Sequence, residues 1–96
     1  MNRDIQKKLK ANSAKIKEKF YVSEIGIFGS CIKGKKKRKN DVDILVEFEK
    51  DGETFDNYME LKFFLEEMFK KKVDLVLKNS LKERLKSYIL SEVIYV

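Results

Sequence analysis

Along residues 2–20, Ile5, Leu9, Ile16 and Phe20 fall on one stripe with lysines elsewhere, the pattern of an amphipathic helix. Glu24–Phe28 reads as a short strand closed by Gly29. A helical turn is expected over 30–33, and the charged stretch Gly34–Asn40 as a loop. Asp41–Phe48 alternates most cleanly and is the clearest strand; Lys50–Glu53 is a turn containing Asp51-Gly52. Thr54–Phe69 predicts a helix with Tyr58, Leu61, Leu65 and Met68 on one face. Lys72–Lys78, mostly Val and Leu, predicts a strand. Ser80 and Glu83 form a capping-box pattern opening a helix that carries Leu81, Leu85, Tyr88 and Ile89, and Val93–Val96 is a last short strand. The order predicts one α/β (α+β) domain over residues 1–96: a small mixed sheet of about four strands with helices packed against it.

Composition narrows the chemistry. The 96 residues are room for one core. There is no histidine, which excludes Ser-His-Asp and Cys-His catalysis. With one cysteine, Cys31, neither an internal disulfide nor the usual zinc site can form. A metal here would be held by oxygen, which favours hard cations such as Mg²⁺ or Mn²⁺. No apolar run suits a membrane span and no signal peptide is visible, so the expected location is cytoplasmic. The net charge of +6 suits either a solvated lysine-rich surface or attraction to phosphate.

On the best strand Asp41, Asp43, Leu45 and Glu47 share one face, and Val42, Ile44, Val46 and Phe48 share the other, the core face. A third aspartate, Asp74, sits inside Val73-Asp74-Leu75-Val76-Leu77. Asp is depleted in strands, and converging acids without a counter-charge repel one another. Bound Mg²⁺ reverses that penalty, so the three aspartates are candidate metal ligands. Each alone has an ordinary explanation: Asp41 caps a strand, Asp43 pairs with a lysine, Asp74 faces water from an edge strand. Gly29-Ser30 follows a strand and precedes the D-x-D motif by ten residues, a spacing that lets a phosphate cradle and a metal site meet.

Gly29-Ser30, ten residues, Asp41-Val42-Asp43 and a later strand with Asp74 resemble the polymerase-β-type nucleotidyltransferases, and the chain's length is similar to the minimal nucleotidyltransferases among them. The resemblance implies a palm-like fold. It implies that Gly29, Ser30 and Lys33 bind the triphosphate of a nucleotide, ATP by default. Asp41 and Asp43 would ligate two Mg²⁺ ions, and Asp74 would share one metal and help deprotonate an acceptor hydroxyl. It further implies an antitoxin that pairs with a HEPN-domain toxin and transfers AMP to a tyrosine on it. The family often reads G-S-x-A-R-G; here Ile32 and Lys33 stand for the alanine and arginine, and Asn40 for a serine.

Six cations fill seven residues, Lys33 and Lys35–Lys39, which suits a solvated loop, a triphosphate clamp or a nucleic-acid backbone contact. Two other function classes stand beside the enzyme. One is a module that neutralises a toxin by contact alone. The other is a domain acting on nucleic acid, disfavoured by the lack of room for a separate RNA-binding part. Met59, Phe63, Phe64 and Phe69 lie beyond the main stripe of their helix. They are either a second buried side or a surface for a homo- or hetero-oligomer.

Overall fold

The computed structural model describes residues 2–28, 42–81 and 83–96. Helix α1 (Asn2–Phe20) leads into strand β1 (Val22–Ile27), then come β2 (Val42–Phe48), α2 (Phe55–Phe69), β3 (Val73–Leu77), α3 (Glu83–Glu92) and β4 (Ile94–Tyr95). The sheet order is β3-β2-β1-β4, with β2 and β3 parallel and the other two pairs antiparallel. This is the mixed four-stranded sheet with helices that the hydrophobic pattern predicts. Among the described residues, no helix is long and apolar enough to cross a membrane.

The core lies between one sheet face and the helices α1 and α2. Leu9, Ile16 and Phe20 of α1 and Leu61, Leu65 and Phe69 of α2 join Val42, Ile44, Val46, Phe48, Val73 and Leu75 in one buried cluster. Period 2 on the strands and period 3.6 on the helices point these residues inward. Helix α2 starts at Thr54, whose Oγ1 accepts from the Asn57 amide at 3.1 Å. It ends at Lys70, whose φ of 57° is left-handed and whose amide returns to the Glu66 carbonyl at 2.8 Å.

Asn57 ties the base of the fold. Its Nδ2 donates to the Phe20 carbonyl at 2.6 Å and to the Gly52 carbonyl at 2.8 Å. One amide thus joins the end of α1 to the turn after β2. Gly52 is needed there: a Cβ at this position would stand 2.6 Å from Tyr21 Cβ and 2.8 Å from the Tyr21 carbonyl oxygen.

The outer edge of β3 is dressed by side chains. The Lys72 carbonyl accepts from the Val42 amide, so by alternation Val73, Leu75 and Leu77 turn their backbone groups away from β2. Glu66 Oε2 accepts the Val73 amide at 3.1 Å, the Tyr58 hydroxyl donates to the Leu75 carbonyl at 2.6 Å, and Ser80 Oγ donates to the Leu77 carbonyl at 2.9 Å.

Three sequence expectations shift. Strand β1 begins at Val22, two residues early, because Tyr21 takes a φ of 56° and turns the chain directly out of α1. The capping box does not form. Residues Lys78–Ser80 make a 3-10 turn, Ser80 serves β3, and α3 starts only at Glu83. Finally, β2 is buried on both faces up to Val46: Asp43 and Leu45 are buried beside the core residues, because β2 is an inner strand.

Candidate active site

The sheet face turned away from α1 and α2 carries the predicted chemistry. In the parallel register Asp43 is the direct partner of Asp74, Leu45 of Val76, and Gly26 of β1 lies opposite Leu45. Neighbouring strands are about 4.8 Å apart, so two carboxylates stand side by side on one face. Phe28 donates its amide to the Asp43 carbonyl at 3.2 Å, so β1 ends at the level of the two aspartates. The Val42 amide donates to the Lys72 carbonyl at 2.9 Å, which ties the starts of β2 and β3 together.

The two acids differ in setting. Asp43 is 4% exposed, the one buried charged residue among those described, whereas Asp74 is exposed on the edge strand. Neither is an isolated charge. A buried carboxylate costs several kcal/mol unless it is compensated. Two adjacent oxygen donors, one of them buried, fit a hard divalent cation better than any soft metal. Asp43 and Asp74 are therefore the described residues suited to hold Mg²⁺. Among the described residues no group of three or more metal-ligating side chains is found. Gly29, Ser30, Lys33 and Asp41, with the basic run Lys35–Lys39, lie outside the described residues.

Sequence reasoning missed a hollow of about 370 Å³ beside Asp74, lined also by Lys62, Glu66, Lys72 and Val73. Lys62 reaches Glu66 at 3.6 Å, one helical turn on. The triplet Lys70–Lys72 before β3 is visible in the sequence, but nothing links it to Lys62 until α2 is laid against β3. A larger groove of about 550 Å³ lies at the other end of β3, between Tyr58 and Leu77, away from both aspartates.

Farther along the aspartates' face sits a charged cluster. Glu24 and Glu47 are cross-strand partners, and Lys78 reaches them at 2.8 and 3.9 Å. The hydrogen bond to Glu24 raises the Lys78 ammonium above its ordinary value, with burial opposing and attraction to Tyr95, Glu24 and Glu47 adding to the rise. Lys78 Nζ also lies 5.6 Å from the centre of the Tyr95 ring. Between the two charged levels Gly26 lets β4 close in: a Cβ there would meet Val93 Cγ1 at 2.6 Å and the Ile94 carbonyl oxygen at 2.8 Å.

Residues 9–96 match the model of the nucleotidyltransferase domain family. The chain belongs to that family. A protein adenylyltransferase, MntA, of Thermococcus cleftensis is 42% identical over 93 residues, 97% of this chain and 93% of that protein. A solved structure of a minimal nucleotidyltransferase superposes with a TM-score of 0.70 at 29% identity, covering 93% of each chain. The fold is shared with an MNT antitoxin solved in complex with a tri-AMPylated HEPN toxin of Shewanella oneidensis, at a TM-score of 0.65, 21% identity and coverage of 94% of this chain and 70% of that one.

Proposed function

We propose that this nucleotidyltransferase is a cytoplasmic antitoxin, acting as a single domain over residues 1–96. It transfers AMP from ATP to a tyrosine hydroxyl of a HEPN-domain toxin. The observation that carries the reading is the register Asp43 opposite Asp74 on one sheet face. The relation to a protein adenylyltransferase at 42% identity supports the choice of donor and of a protein acceptor.

In this reading the acceptor oxygen attacks the α-phosphorus in line, and the bond to the bridging oxygen breaks so that pyrophosphate leaves with the electron pair. The acceptor's proton passes to the Asp74 carboxylate, whose exposure on the edge strand leaves it open to an incoming macromolecule. Asp43, held on the inner strand beside Asp74, would hold a cation at that level, to which the donor's phosphates would be drawn. Gly29, Ser30 and Lys33 hold the triphosphate. Two Mg²⁺ ions on Asp41, Asp43 and Asp74 would neutralise charge on the phosphates and on the leaving group when bound.

The test uses purified chain, Mg²⁺, α-labelled ATP and the HEPN-domain protein encoded beside it. Label on the partner, traced to tyrosine by mass spectrometry and lost with Asp43→Ala or Asp74→Ala, is expected. A stable complex that neutralises the toxin without label, and equally well with both variants, refutes catalysis and leaves neutralisation by contact.

A further inference from the structure

Helix α2 carries more apolar surface than the core uses. Its buried side is Leu61, Leu65 and Phe69, and the opposite side is centred on Phe63. Phe55, Met59 and Phe63 follow one another at four-residue steps and form one row along the helix. Phe55 is 76% exposed and Phe63 is 58% exposed, while Met59 between them is half-buried. Phe64 and Phe69, by contrast, pack inward. At its N-terminal end the row continues into the groove of about 550 Å³ that Phe55 shares with Tyr58, Leu75 and Leu77. Two exposed phenylalanines joined to an apolar groove are more than the scattered apolar residues of an ordinary surface.

The charge beside this row has the wrong sign for the molecule. The chain carries +6, yet α2 holds four carboxylates and one lysine. Three of them, Asp56, Glu60 and Glu67, are exposed: Asp56 and Glu60 lie one residue round the helix from the apolar row, and Glu67 continues that row one step beyond Phe63. Glu53 extends the acidic edge at the groove. We propose that this face of α2 docks a basic amphipathic helix of another protein. The partner's apolar residues at i, i+4 and i+8 would lie on Phe55, Met59 and Phe63, and its lysines or arginines against Asp56, Glu60 and Glu67. Salt screens charges beyond about 8–10 Å, so the acidic row governs the encounter at this face despite the basic remainder of the chain.

A second copy of the chain does not supply that helix. Its basic helix is α1, with seven cations to two acids, but the apolar residues Leu9, Ile16 and Phe20 are already spent in the core. The exposed described positions of α1 are lysine, alanine and glutamate. Two copies of α2 packed antiparallel would set acidic row beside acidic row.

The test is direct binding of a labelled synthetic helix of about 18 residues, with Leu at i, i+4 and i+8 and Lys on both flanks. Fluorescence anisotropy is expected to give a Kd of about 1–100 μM, weakened by salt. Phe63→Ser and Glu60→Lys should each weaken it at least about tenfold. Both positions are exposed, and far-UV circular dichroism confirms that the variants fold. No binding, binding unchanged in both variants, or equal binding of a peptide with Glu in place of Lys overturns the proposal. Sedimentation of the chain alone is the second arm: a dimer dispersed by Phe63→Ser would assign the face to self-association instead.

Discussion

Asn57 offers the sharpest test of how the fold is held. Its Nδ2 serves two carbonyls, Phe20 at the end of α1 and Gly52 in the turn after β2, next to the bond from the Glu49 amide to the Tyr21 carbonyl at 2.7 Å. A net hydrogen bond contributes about 0.5–1.5 kcal/mol, so Asn57→Ala should cost about 1–3 kcal/mol. The upper end requires both carbonyls to stay dry, and half-burial of Asn57 favours the middle of that range. For a domain of this size that shifts the urea midpoint by about 1–2 M and Tm by about 8–16 °C. Asn57→Asp separates two explanations. The residue sits in the first turn of α2, where a carboxylate gains about 0.3–1 kcal/mol from the helix dipole. Set against two carbonyl oxygens, the same carboxylate loses both donors and adds repulsion, so Asn57→Asp should be at least as destabilising as Asn57→Ala. Equilibrium urea unfolding followed by circular dichroism measures both. If Asn57→Asp matched or exceeded the native stability, the amide would be a helix-start residue only and the tie between α1 and the turn would be refuted. The site is unaffected by design, since Asn57 lies beyond the end of β2 remote from Asp43.

Lys78 predicts a pH effect. Its ammonium titrates above its ordinary 10.5, so its ion pair stabilises fully below that value and is lost as pH rises through the folded pKa. The stability gap between native chain and Lys78→Met should be level from neutral pH to about 10 and shrink above it, as read by urea unfolding at stepped pH. Gly26→Ala drives a methyl into Val93 and the Ile94 backbone. It should cost about 1–3 kcal/mol and speed hydrogen exchange at the Val96 amide, which bonds the Ile25 carbonyl at 3.0 Å. Lys70→Gly relieves a left-handed residue at the end of α2 and should raise stability by about 0.5–1 kcal/mol in the same assay.

Much of the fold was legible because burial and periodicity coincide. The row Val42, Ile44, Val46 and Phe48 and the pair Leu61 and Leu65 are core in sequence and in structure. Reasoning from one element at a time failed where neighbours decide. Leu45 reads as half of a polar face, yet it is buried because β2 has a strand on either side and its second face is covered. The Ser80–Glu83 pattern is a sound local signal, but Ser80 is drawn to the open carbonyl at the end of β3 instead. Lys78 reads as a strand end; its partner Glu24 is 54 residues away, beyond any local pattern. At the site, the sequence named Asp43 and Asp74, and the parallel register sets them side by side. It could not distinguish the buried acid from the exposed one, nor find Lys62 beside Asp74, since both depend on which strand is inner and where α2 lies.

The dressed edge of β3 bears on what happens when such molecules crowd together. A sheet grows into a fibre only if every added copy presents one bare edge to the next and another to the last. Here Glu66, Tyr58 and Ser80 occupy backbone groups along one outer strand, and the other outer strand is the two-residue β4. Strand-to-strand association therefore stops at a pair, and a lysine-rich chain made in quantity is protected from running on into ribbons.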